Sequence, residues 1–486
     1  MSRRGRLWSA ILIVVVLLRV FTLSAYPLHD TTEARYAEVG RLMLASGDWI
    51  TPQIEAGLAF WGKPPLSFWL TALSFKAFGL NEFAARLPAL LLVLAVAFLT
   101  HRFARKILSV EAALGASAIL LTSAIGFIAS GAVMTDAPLL LGTTLSMVAF
   151  WKAAIERERK WRHLFFVGIA IGLLAKGPIA LVLTAIPVAL WLLFERKVSW
   201  SLRCMPWIPG FFVMLAVAAP WYVMAELKTP GFLEYFLIGE HWLRFVESGW
   251  TGDLYGTAHA EPRGAIWLFG IKAALPWSLV ALVALVAIGR SWLWQAKLTL
   301  RILTPLQTYL LLWTVTPLLV FTFAGNILPA YVLPGIPAFA VLLSDWLTRQ
   351  NMKLMHIAWL IPLVVVVGLL LASMDAISGK SQKNLIAHHA SITTHGSITY
   401  YPSRPFSAEF YSRGTALEIR SESSLEEFLA KPGSEFIAIH RAALTSLSGG
   451  VTSCLRLEAE FKRHLLFEKP GAACSQSDLW QTPKQY

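Results

Sequence analysis

The sequence predicts a mainly α-helical protein, a polytopic membrane helix bundle of about eleven spans followed by a small soluble α/β domain. Hydrophobic residues make up 56% of the 486 residues, more than a soluble chain of this size buries in one core. Apolar runs of about 20 residues, the length that crosses a bilayer, recur over residues 7–373. From about residue 376 the pattern becomes mixed, as in soluble domains.

The predicted spans follow the apolar runs in order along the chain. They are 7–26, 84–104, 110–129, 134–151, 162–176, 178–195, 206–225, 264–288, 304–323, 327–347 and 355–373. The first run follows Arg3, Arg4 and Arg6 and resembles a signal peptide. Its length of about 20 residues and the lack of a small-residue cleavage motif favour a retained first helix instead.

Basic residues predict the orientation of the spans, because cytoplasmic loops of membrane proteins are rich in Lys and Arg. With a cytoplasmic amino terminus, every predicted cytoplasmic loop is basic. The residues are Arg102, Arg105, Lys106, Arg157, Arg159, Lys160, Arg162, Arg196, Lys197, Arg203, Arg290, Lys297, Arg301, Arg349 and Lys353. The net charge of +13 is thus distributed as expected of cytoplasmic loops, and no basic face interleaved with aromatic residues indicates nucleic-acid binding.

The predicted periplasmic side carries two long loops, 27–83 and 226–263, and the carboxyl-terminal region. Within the first loop, residues 33–46 and 66–79 are helix-like and suit helices that lie in the membrane interface. The segment 66–79 could also be a short or re-entrant span. The sequence therefore predicts a membrane domain, 1–375, and a periplasmic α/β domain, 376–486.

The predicted periplasmic domain alternates strand-like and helix-like segments. The strands are predicted at 397–401, 416–419 and 435–439, and the helices at 405–412 and 423–430. Cys454 and Cys474 both lie in this domain, whereas Cys204 lies near a cytoplasmic loop. In an oxidising periplasm Cys454 and Cys474 are expected to pair.

The densest polar cluster follows the first span, at His29-Asp30-Thr31-Thr32-Glu33-Ala34-Arg35-Tyr36. Asp30 and Glu33 have the spacing of a capping box at a helix start. A carboxylate fixed at a helix entrance is also well placed to meet a substrate. In Trp61-Gly62-Lys63-Pro64-Pro65, Lys63 either snorkels to the membrane surface or provides a fixed cation for a lipid-linked phosphate.

Two ionisable residues, Asp136 and Lys176, lie at the predicted periplasmic ends of spans. Charges inside spans are functional by default, although snorkelling at a helix end weakens that inference. Glu240, His241 and Arg244 in the second long loop, with Tyr331 after a later span, add polar groups on the same side. A lone His is weak evidence for a metal site.

Taken in order from residue 26 to about 350, these motifs resemble those of the lipid A aminoarabinose transferases and their protein O-mannosyltransferase relatives. The motifs are Glu33-Ala34-Arg35-Tyr36-Ala37-Glu38, Ala45-Ser46-Gly47-Asp48-Trp49, Lys63-Pro64-Pro65-Leu66, Arg86-Leu87-Pro88, Lys176-Gly177, Pro220-Trp221-Tyr222, Glu240-His241, Arg244-Phe245, Leu328-Pro329-Ala330-Tyr331 and Leu333-Pro334. The resemblance implies the C-type glycosyltransferase membrane fold. It also implies inverting transfer of a sugar from undecaprenyl phosphate.

The resemblance further implies an acidic residue in the first periplasmic loop and cations around the donor phosphate. Carried over by motif, Asp30 and Asp136 are the expected catalytic acids. Glu33 and Glu240 are further candidates. The expected donor-phosphate or site-lining residues are Arg35, Tyr36, Lys63, Lys176, Arg244 and Tyr331.

Two positions depart from the family pattern. Thr32 stands where the aminoarabinose transferases have an acid directly before the Glu of the Glu-x-Arg-Tyr motif, so the assignment of Asp30 assumes a short local shift. Gly62 stands where they have a Glu before Lys-Pro-Pro. Because that Glu is associated with a metal site in the family, Gly62 argues against a divalent metal ion at His241, and no cofactor is assigned with certainty.

The expected reaction is transfer of aminoarabinose or a related monosaccharide from undecaprenyl phosphate to lipid A or another lipopolysaccharide component. The enzyme is expected to act as a monomer surrounded by inner-membrane lipid. Protein O-glycosylation, and transport or flipping of a lipid-linked sugar, are the alternatives. The sequence shows no internal repeat with paired broken helices, which transporters commonly have. A membrane scaffold would not need a one-sided polar cluster. The sequence leaves sugar and acceptor open.

Overall fold

The computed structural model describes residues 2–294, 303–350, 355–360, 362–364, 367, 378–393, 396–445, 447 and 454–469. As predicted, the chain is mainly helical, with a small sheet in its carboxyl-terminal part. It divides into two compact units. The first comprises Met1–Ser24 and Leu42–Val366, and the second comprises Ala25–Arg41 and Val367–Tyr486. The segment after the first helix thus groups with the carboxyl-terminal residues, while the division at residue 375 stays a prediction.

Helices α1 to α17 follow one another along the first three quarters of the chain. The first are α1 (Arg3–Thr22), α2 (Thr32–Ser46), α3 (Leu66–Phe78), α4 (Glu82–Ile107), α5 (Val110–Thr122), α6 (Ala124–Ala129), α7 (Asp136–Ala154), α8 (Trp161–Lys176) and α9 (Ile179–Phe194). They are followed by α10 (Val198–Cys204), α11 (Trp207–Lys228), α12 (Phe232–Glu234), α13 (Arg244–Val246), α14 (Ala265–Ala273), α15 (Trp277–Trp294), α16 (Pro305–Thr322) and α17 (Ile336–Arg349).

Other local structures interrupt this series of helices. A two-stranded antiparallel hairpin, β1 (Gln53–Glu55) and β2 (Leu58–Ala59), follows α2. A π-helix, Tyr235–Leu243, lies between α12 and α13, and a 3-10 helix, Pro329–Gly335, precedes α17. Both irregular helices carry residues that the sequence singled out, and π-helical turns occur frequently at functional sites.

Several helices are long and apolar enough to cross a membrane. Six such candidates are found among the described residues: α1, α4, α7, α11, α16 and the segment Pro329–Arg349. Helices α14 and α15 meet at a bend of 108° and count as a seventh if they form one broken span. This finding confirms a multi-pass membrane protein. The first ten predicted spans each coincide with a helix or a pair of helices, whereas nine of the nineteen residues of 355–373 lie outside the described residues.

Helices α7 and α8 touch through their backbones. A Cβ atom added to Gly142 would lie 2.7 Å from the carbonyl oxygen of Gly168 and 2.7 Å from the amide nitrogen of Gly172. The Ser146 hydroxyl donates to the carbonyl oxygen of Phe165 at 2.9 Å. Small residues allow helices to approach closely in a membrane, where van der Waals packing holds them together. The first residue of α7 and the last residue of α8 carry the predicted charges Asp136 and Lys176.

The second unit contains a five-stranded sheet and short helices. Its helices are α18 (Lys383–Ile392), α19 (Phe406–Tyr411), α20 (Glu422–Ala430) and α21 (Arg441–Leu444). Its strands are β3 (Ile398–Tyr401), β4 (Leu417–Glu418), β5 (Glu435–His440), β6 (Arg456–Glu460) and β7 (His464–Lys469), in the order β4-β3-β5-β7-β6. Strand β3 runs parallel to β4 and β5, whereas β7 runs antiparallel to β5 and β6.

The predicted α/β pattern is confirmed in this part of the chain. All three predicted strands and both predicted helices coincide with observed elements, and β6, β7 and α18 were not predicted. Strand β3 is buried along its whole length, as expected of a strand covered on both faces. Cys454 is disulfide-bonded and Cys204 is free. The predicted partner Cys474 lies outside the described residues.

Candidate functional site

A partly apolar cleft in the first unit collects six of the site residues that the sequence predicted. Its volume is about 660 Å³, including solvent at its mouth. The polar lining residues are Lys63, Lys176, Glu240, His241, Arg244, Asn326 and Tyr331, and the apolar ones are Leu139, Ile179, Leu183, Phe245 and Phe321. An apolar wall with a few converging polar groups is typical of a ligand site.

Glu240 is the centre of the main charge cluster in the cleft. Lys63 Nζ lies 2.9 Å from Glu240 Oε2, and Arg244 Nη1 lies 3.0 Å from Glu240 Oε1. The same Arg244 nitrogen lies 3.0 Å from Asp253 Oδ2, and the Tyr235 hydroxyl donates to Glu240 Oε1 at 3.4 Å. Two cations therefore converge on one carboxylate.

The π-helix and α13 place Glu240 and Arg244 four residues apart on one side of the segment. The side chain of Asn326 fixes the end of that segment, because its amide donates to the carbonyl oxygens of Arg244 and Glu247, both at 2.6 Å. Its side-chain oxygen accepts from the amide of Gly249 at 3.0 Å. Asn326 thereby holds Arg244 at the cleft.

Electrostatics favour the charged forms of this cluster. Burial alone would raise the pKa of Glu240, but the charges of Lys63 and Arg244 outweigh burial and hold that pKa below its ordinary value. Burial works against the charge of Arg244 as well. The neighbouring carboxylates, Glu240 and Asp253 among them, nevertheless raise the pKa of Arg244.

A second ion pair joins α7 and α8. Lys176 Nζ lies 2.5 Å from Asp136 Oδ1, and the ammonium lies 4.6 Å from the ring centroid of Tyr331. Asp136 is buried at the start of α7. The ring of Tyr331 attracts the ammonium because its face carries negative charge. The three side chains thus form one contact group, of which Lys176 and Tyr331 line the cleft.

His241 connects the two charge clusters through the backbone. Its Nδ1 lies 2.7 Å from the carbonyl oxygen of Phe236, and its Nε2 lies 3.0 Å from the carbonyl oxygen of Lys176. Burial lowers the pKa of His241, and a neutral imidazole donates to only one of these oxygens. The next residue after Lys176 is Gly177, whose φ of +79° and contact with the ring of His241 suit glycine.

The residues around His241 do not fit a metal ion. Both ring nitrogens face carbonyl oxygens, so neither nitrogen points to an open position. A Cβ atom on Gly62 would lie 2.9 Å from the ring of Phe60. That ring packs edge-on against the ring of Tyr255, with 4.6 Å between the two ring centroids. Among the described residues there is no group of three or more His, Cys, Asp or Glu that could hold a metal.

The remaining predicted site residues lie in the second unit. The backbone amide of Ser407 donates to Asp30 Oδ1 at 2.8 Å, and the Ser407 hydroxyl donates to Asp30 Oδ2. Burial raises the pKa of Asp30, while the bonds from Ser407 and the charge of Arg463 counteract it. Helix α2 begins at Thr32, and Glu33 accepts from the amide of His29 at 3.2 Å. Asp30 thus bonds to Ser407 rather than closing a capping box with Glu33.

Arg35 and Tyr36 lie on α2. The guanidinium carbon of Arg35 lies 5.3 Å from the ring centroid of Tyr36 and 5.9 Å from that of Phe406. One turn further on, Glu38 forms a two-point ion pair with Arg41, at 2.6 and 2.8 Å. The side chains of the segment from Arg35 to Arg41 therefore pack within the second unit.

The structure thus divides the predicted residues into two groups. Lys63, Asp136, Lys176, Glu240, His241, Arg244 and Tyr331 lie together in the first unit, and Asp30, Glu33, Arg35 and Tyr36 belong to the second. The sequence interpretation missed Asp253, Tyr235 and Ser407. Asp253 and Tyr235 lie in the long polar loop next to Glu240 and Arg244, which was the only hint available.

Comparison with known proteins gives three findings. The family model described as dolichyl-phosphate-mannose-protein mannosyltransferase matches residues 6–236. The undecaprenyl phosphate-alpha-4-amino-4-deoxy-L-arabinose arabinosyl transferase of Edwardsiella ictaluri is 31% identical over 74% of this chain and 63% of its own length. The transferase of the same name from Pseudomonas savastanoi pv. phaseolicola is 33% identical over 72% of this chain and 63% of its own. The chain thus matches less than two thirds of each relative.

The structural comparison extends over nearly the whole chain. The crystal structure of ArnT from Cupriavidus metallidurans bound to undecaprenyl phosphate superposes with a TM-score of 0.76, covering 98% of this chain and 100% of that one at 18% identity. ArnT in the apo state gives a TM-score of 0.72, with 96% and 98% covered. This similarity establishes the fold, which is the C-type membrane glycosyltransferase fold expected from the motifs.

Proposed function

The chain is a relative of the lipid A aminoarabinose transferases and of the protein mannosyltransferases, and on that premise we propose that it is an inverting, undecaprenyl-phosphate-sugar-dependent glycosyltransferase. The transferred sugar is aminoarabinose or a related monosaccharide. The acceptor is lipid A or another lipopolysaccharide component. The observation that carries the proposal is the cleft in which Lys63, Lys176 and Arg244 converge beside an apolar wall.

The cleft suits a lipid phosphate better than a free sugar phosphate. Its apolar residues, such as Leu183 and Phe321, can contact a hydrocarbon chain, and its cations can pair with phosphate oxygens. When the bond between sugar and phosphate breaks, negative charge grows on the leaving phosphate. Cations already fixed in a partly dry site stabilise that charge without reorganising.

The reaction exchanges one bond at the anomeric carbon for another. An acceptor oxygen forms a bond to that carbon from the face opposite the phosphate, and the carbon–oxygen bond to the phosphate breaks, which inverts the configuration. We propose Asp30 as the catalytic carboxylate on the basis of the motif. It removes the proton of a hydroxyl acceptor, or positions an acceptor phosphate that is already ionised.

Asp136 has a supporting role in this proposal. Its carboxylate is paired with Lys176 at 2.5 Å, so it fixes the ammonium that lines the cleft rather than meeting the sugar directly. The ring of Tyr331 lies 4.6 Å from the same ammonium and limits its movement further. Glu240 does the same for Lys63 and Arg244.

We also propose that the protein lies in the bacterial inner membrane with its amino terminus in the cytoplasm and residues 376–486 in the periplasm, as a monomer. Lys and Arg in the predicted cytoplasmic loops support this orientation. Alkaline phosphatase fused after residue 486 is expected to be active in cells, because that enzyme folds only outside the cytoplasm. An inactive fusion, with an active reporter after residue 350, would contradict the orientation.

The decisive test of function is transfer by the purified protein. Protein in lipid nanodiscs is incubated with radiolabelled undecaprenyl-phosphate aminoarabinose and lipid A, and the label is expected to move to lipid A. The same assay with a periplasmic acceptor protein tests the O-glycosyltransferase alternative. A flippase would instead move the labelled lipid between leaflets of a liposome without forming product, and this outcome would overturn the proposal.

A further inference from the structure

The carboxylate of Asp30 is held by a residue 377 positions later in the chain. The Ser407 amide donates to Oδ1 at 2.8 Å, and the Ser407 hydroxyl donates to Oδ2. Ser407 is fully buried, with 0% of its surface exposed. We infer that Ser407 is a positioning residue for Asp30, so that the carboxyl-terminal part of the chain completes the proposed catalytic carboxylate. This inference rests on the proposed function of Asp30.

The hydroxyl of Ser407 has a defined direction. Its oxygen accepts a hydrogen bond from the amide of Gln382 at 3.0 Å. A hydroxyl carries one proton and can donate only once. Because the Gln382 amide already occupies an acceptor position on the oxygen, the proton of Ser407 is directed to Asp30. Both carboxylate oxygens of Asp30 are therefore oriented by one residue.

The backbone around Asp30 is held by the same part of the chain. The amide of Asp30 donates to the carbonyl oxygen of Lys380 at 2.8 Å. Two residues earlier, the amide of Leu28 donates to the hydroxyl of Tyr411 at 2.7 Å. Residues 380, 407 and 411 thus fix both the position of Asp30 and the direction of its carboxylate, which is what a general base or an acceptor-binding carboxylate requires.

The bonds from Ser407 also favour the charged form of Asp30, although burial raises its pKa overall. Burial disfavours the carboxylate, and the two bonds from Ser407 together with the charge of Arg463 favour it. Burial raises the pKa of the Tyr400 hydroxyl on β3, and the charge of Asp30 raises it further. Each carboxylate oxygen can accept two hydrogen bonds, and Ser407 takes one on each.

Ser407→Ala tests this inference because it removes the hydroxyl and keeps the amide bond to Asp30. In the transfer assay with a hydroxyl acceptor, kcat is expected to fall about 10-fold or more while KM for the donor stays within about twofold. The acidic limb of the kcat profile is expected to move to higher pH, because Asp30 loses a bond that favours its carboxylate. Ser407→Thr keeps a hydroxyl and is expected to restore both kcat and the pH profile.

The matched control is Ser412→Ala. Ser412 follows α19, and its oxygen accepts from the amide of Ala416 at 3.0 Å, so this variant loses a similar hydrogen bond without touching Asp30. It is expected to keep the kcat and pH profile of the unmodified protein. Thermal unfolding of each variant is measured alongside, because Ser407→Ala also deprives the Gln382 amide of its acceptor. If Ser407→Ala does not fold, Ser407→Cys, which keeps the volume and a weak donor, is expected to show the same pH displacement.

Three outcomes separate this inference from the proposed function. No transfer by the unmodified protein overturns the proposed function itself. Transfer at the unmodified rate by Asp30→Ala overturns the role of Asp30, and the positioning role of Ser407 with it. A folded Ser407→Ala or Ser407→Cys with unchanged kcat and an unchanged acidic limb overturns the inference alone, since a purely structural serine would not change either readout.

Discussion

At the scale of single residues, the cations of the cleft are paired with carboxylates. Lys63 and Arg244 share Glu240, and Lys176 is paired with Asp136. A buried cation without a partner would be costly, since removing one member of such a pair leaves an uncompensated charge. Under the proposed function, donor phosphate enters a site whose charges are fixed in advance, and it competes with carboxylates for the cations.

The first prediction concerns Lys63. Lys63→Ala is expected to lower kcat/KM for transfer at least about 100-fold, because the cation closest to Glu240 no longer stabilises charge on the leaving phosphate. Lys63→Arg keeps the charge and is expected to retain part of the activity. The control is Lys76→Ala, which removes an exposed lysine near the end of α3. Full transfer by folded Lys63→Ala would exclude this placement of the phosphate.

The second prediction uses the pKa of Glu240, which Lys63 and Arg244 hold below its ordinary value of 4.5 despite burial. A carboxyl whose pKa is lowered on folding contributes stability above its unfolded pKa, and this contribution is lost as the pH falls through the folded pKa. The unfolding temperature of the unmodified protein is compared with that of Glu240→Gln from pH 7 down to pH 3, a range chosen to bracket these pKa values.

The expected difference in unfolding temperature is widest above about pH 4.5 and closes as the pH falls below it. Glu427→Gln serves as the control, because the side chain of Glu427 is 70% exposed and its pair with Lys431 is screened by solvent. If the difference in unfolding temperature between Glu240→Gln and the unmodified protein stays constant across this pH range, the charge of Glu240 does not stabilise the fold.

At the scale of elements, the end of α8 is held in place by its contact with the π-helix. Gly177 follows the last residue of α8 with a φ of +79°, a backbone conformation that residues with a side chain rarely adopt. A Cβ atom there would lie 2.7 Å from Phe236 and 2.9 Å from His241 Nε2. The junction therefore requires glycine for two independent reasons. It also fixes the position of Lys176, the last residue of α8.

The third prediction is that Gly177→Ala lowers the free energy of unfolding by about 1–3 kcal/mol, from backbone strain and the collision with the π-helix. Transfer is also expected to fall, because the backbone that carries Lys176 must shift. Gly289→Ala on α15 is the control: apart from its own helix backbone, no atom of the described residues lies within 4 Å of its added Cβ, and the change is expected to be neutral or slightly stabilising. Equal stability of both variants, measured by thermal unfolding, would refute the argument.

Hydropathy predicted the helices well where a span is one uninterrupted helix. The predicted span 84–104 corresponds to Glu82–Ile107, and 206–225 corresponds to Trp207–Lys228. It failed at interruptions, because apolar composition continues through them. The predicted span 264–288 contains the 108° bend between α14 and α15, next to Pro276, whose missing amide hydrogen prevents a regular helix.

At the scale of the whole molecule, residues 25–41 group with the carboxyl-terminal residues. The fourth prediction follows. Leu425→Ala empties a fully buried position in the core of the second unit and is expected to cost about 2–5 kcal/mol. Because segments of one cooperative unit open together, amide exchange measured by mass spectrometry is expected to accelerate both in 25–41 and in the sheet.

The matched control is Leu457→Ala on β6, where the side chain is 46% exposed. This variant is expected to change amide exchange rates little. Helix α4 of the first unit provides an internal reference that neither variant should alter. If Leu425→Ala speeds exchange in the sheet but leaves residues 25–41 unchanged, the two segments do not unfold as one unit.

The site was partly predictable for a physical reason. Lys63 and Arg244 stand in motifs whose chemistry is local, so a cation between aromatics and a proline pair, or an acid four residues before an arginine, can be recognised in the sequence. Asp253 carries no such pattern, because its contact with Arg244 depends on how a long loop returns. Ser407 lies 377 residues from Asp30, and no local rule connects a serine at the start of a short helix with that carboxylate.

The bond between Asp30 and Ser407 also has a consequence for the time at which the protein matures. During synthesis, Asp30 leaves the ribosome 377 residues before its partner. At about 5–20 residues per second, that interval lasts roughly 20–75 s. Throughout it, the segment that carries Asp30 lacks the amide and hydroxyl that hold its carboxylate. The nascent chain therefore inserts its helices first and acquires an oriented Asp30 only near the end of translation.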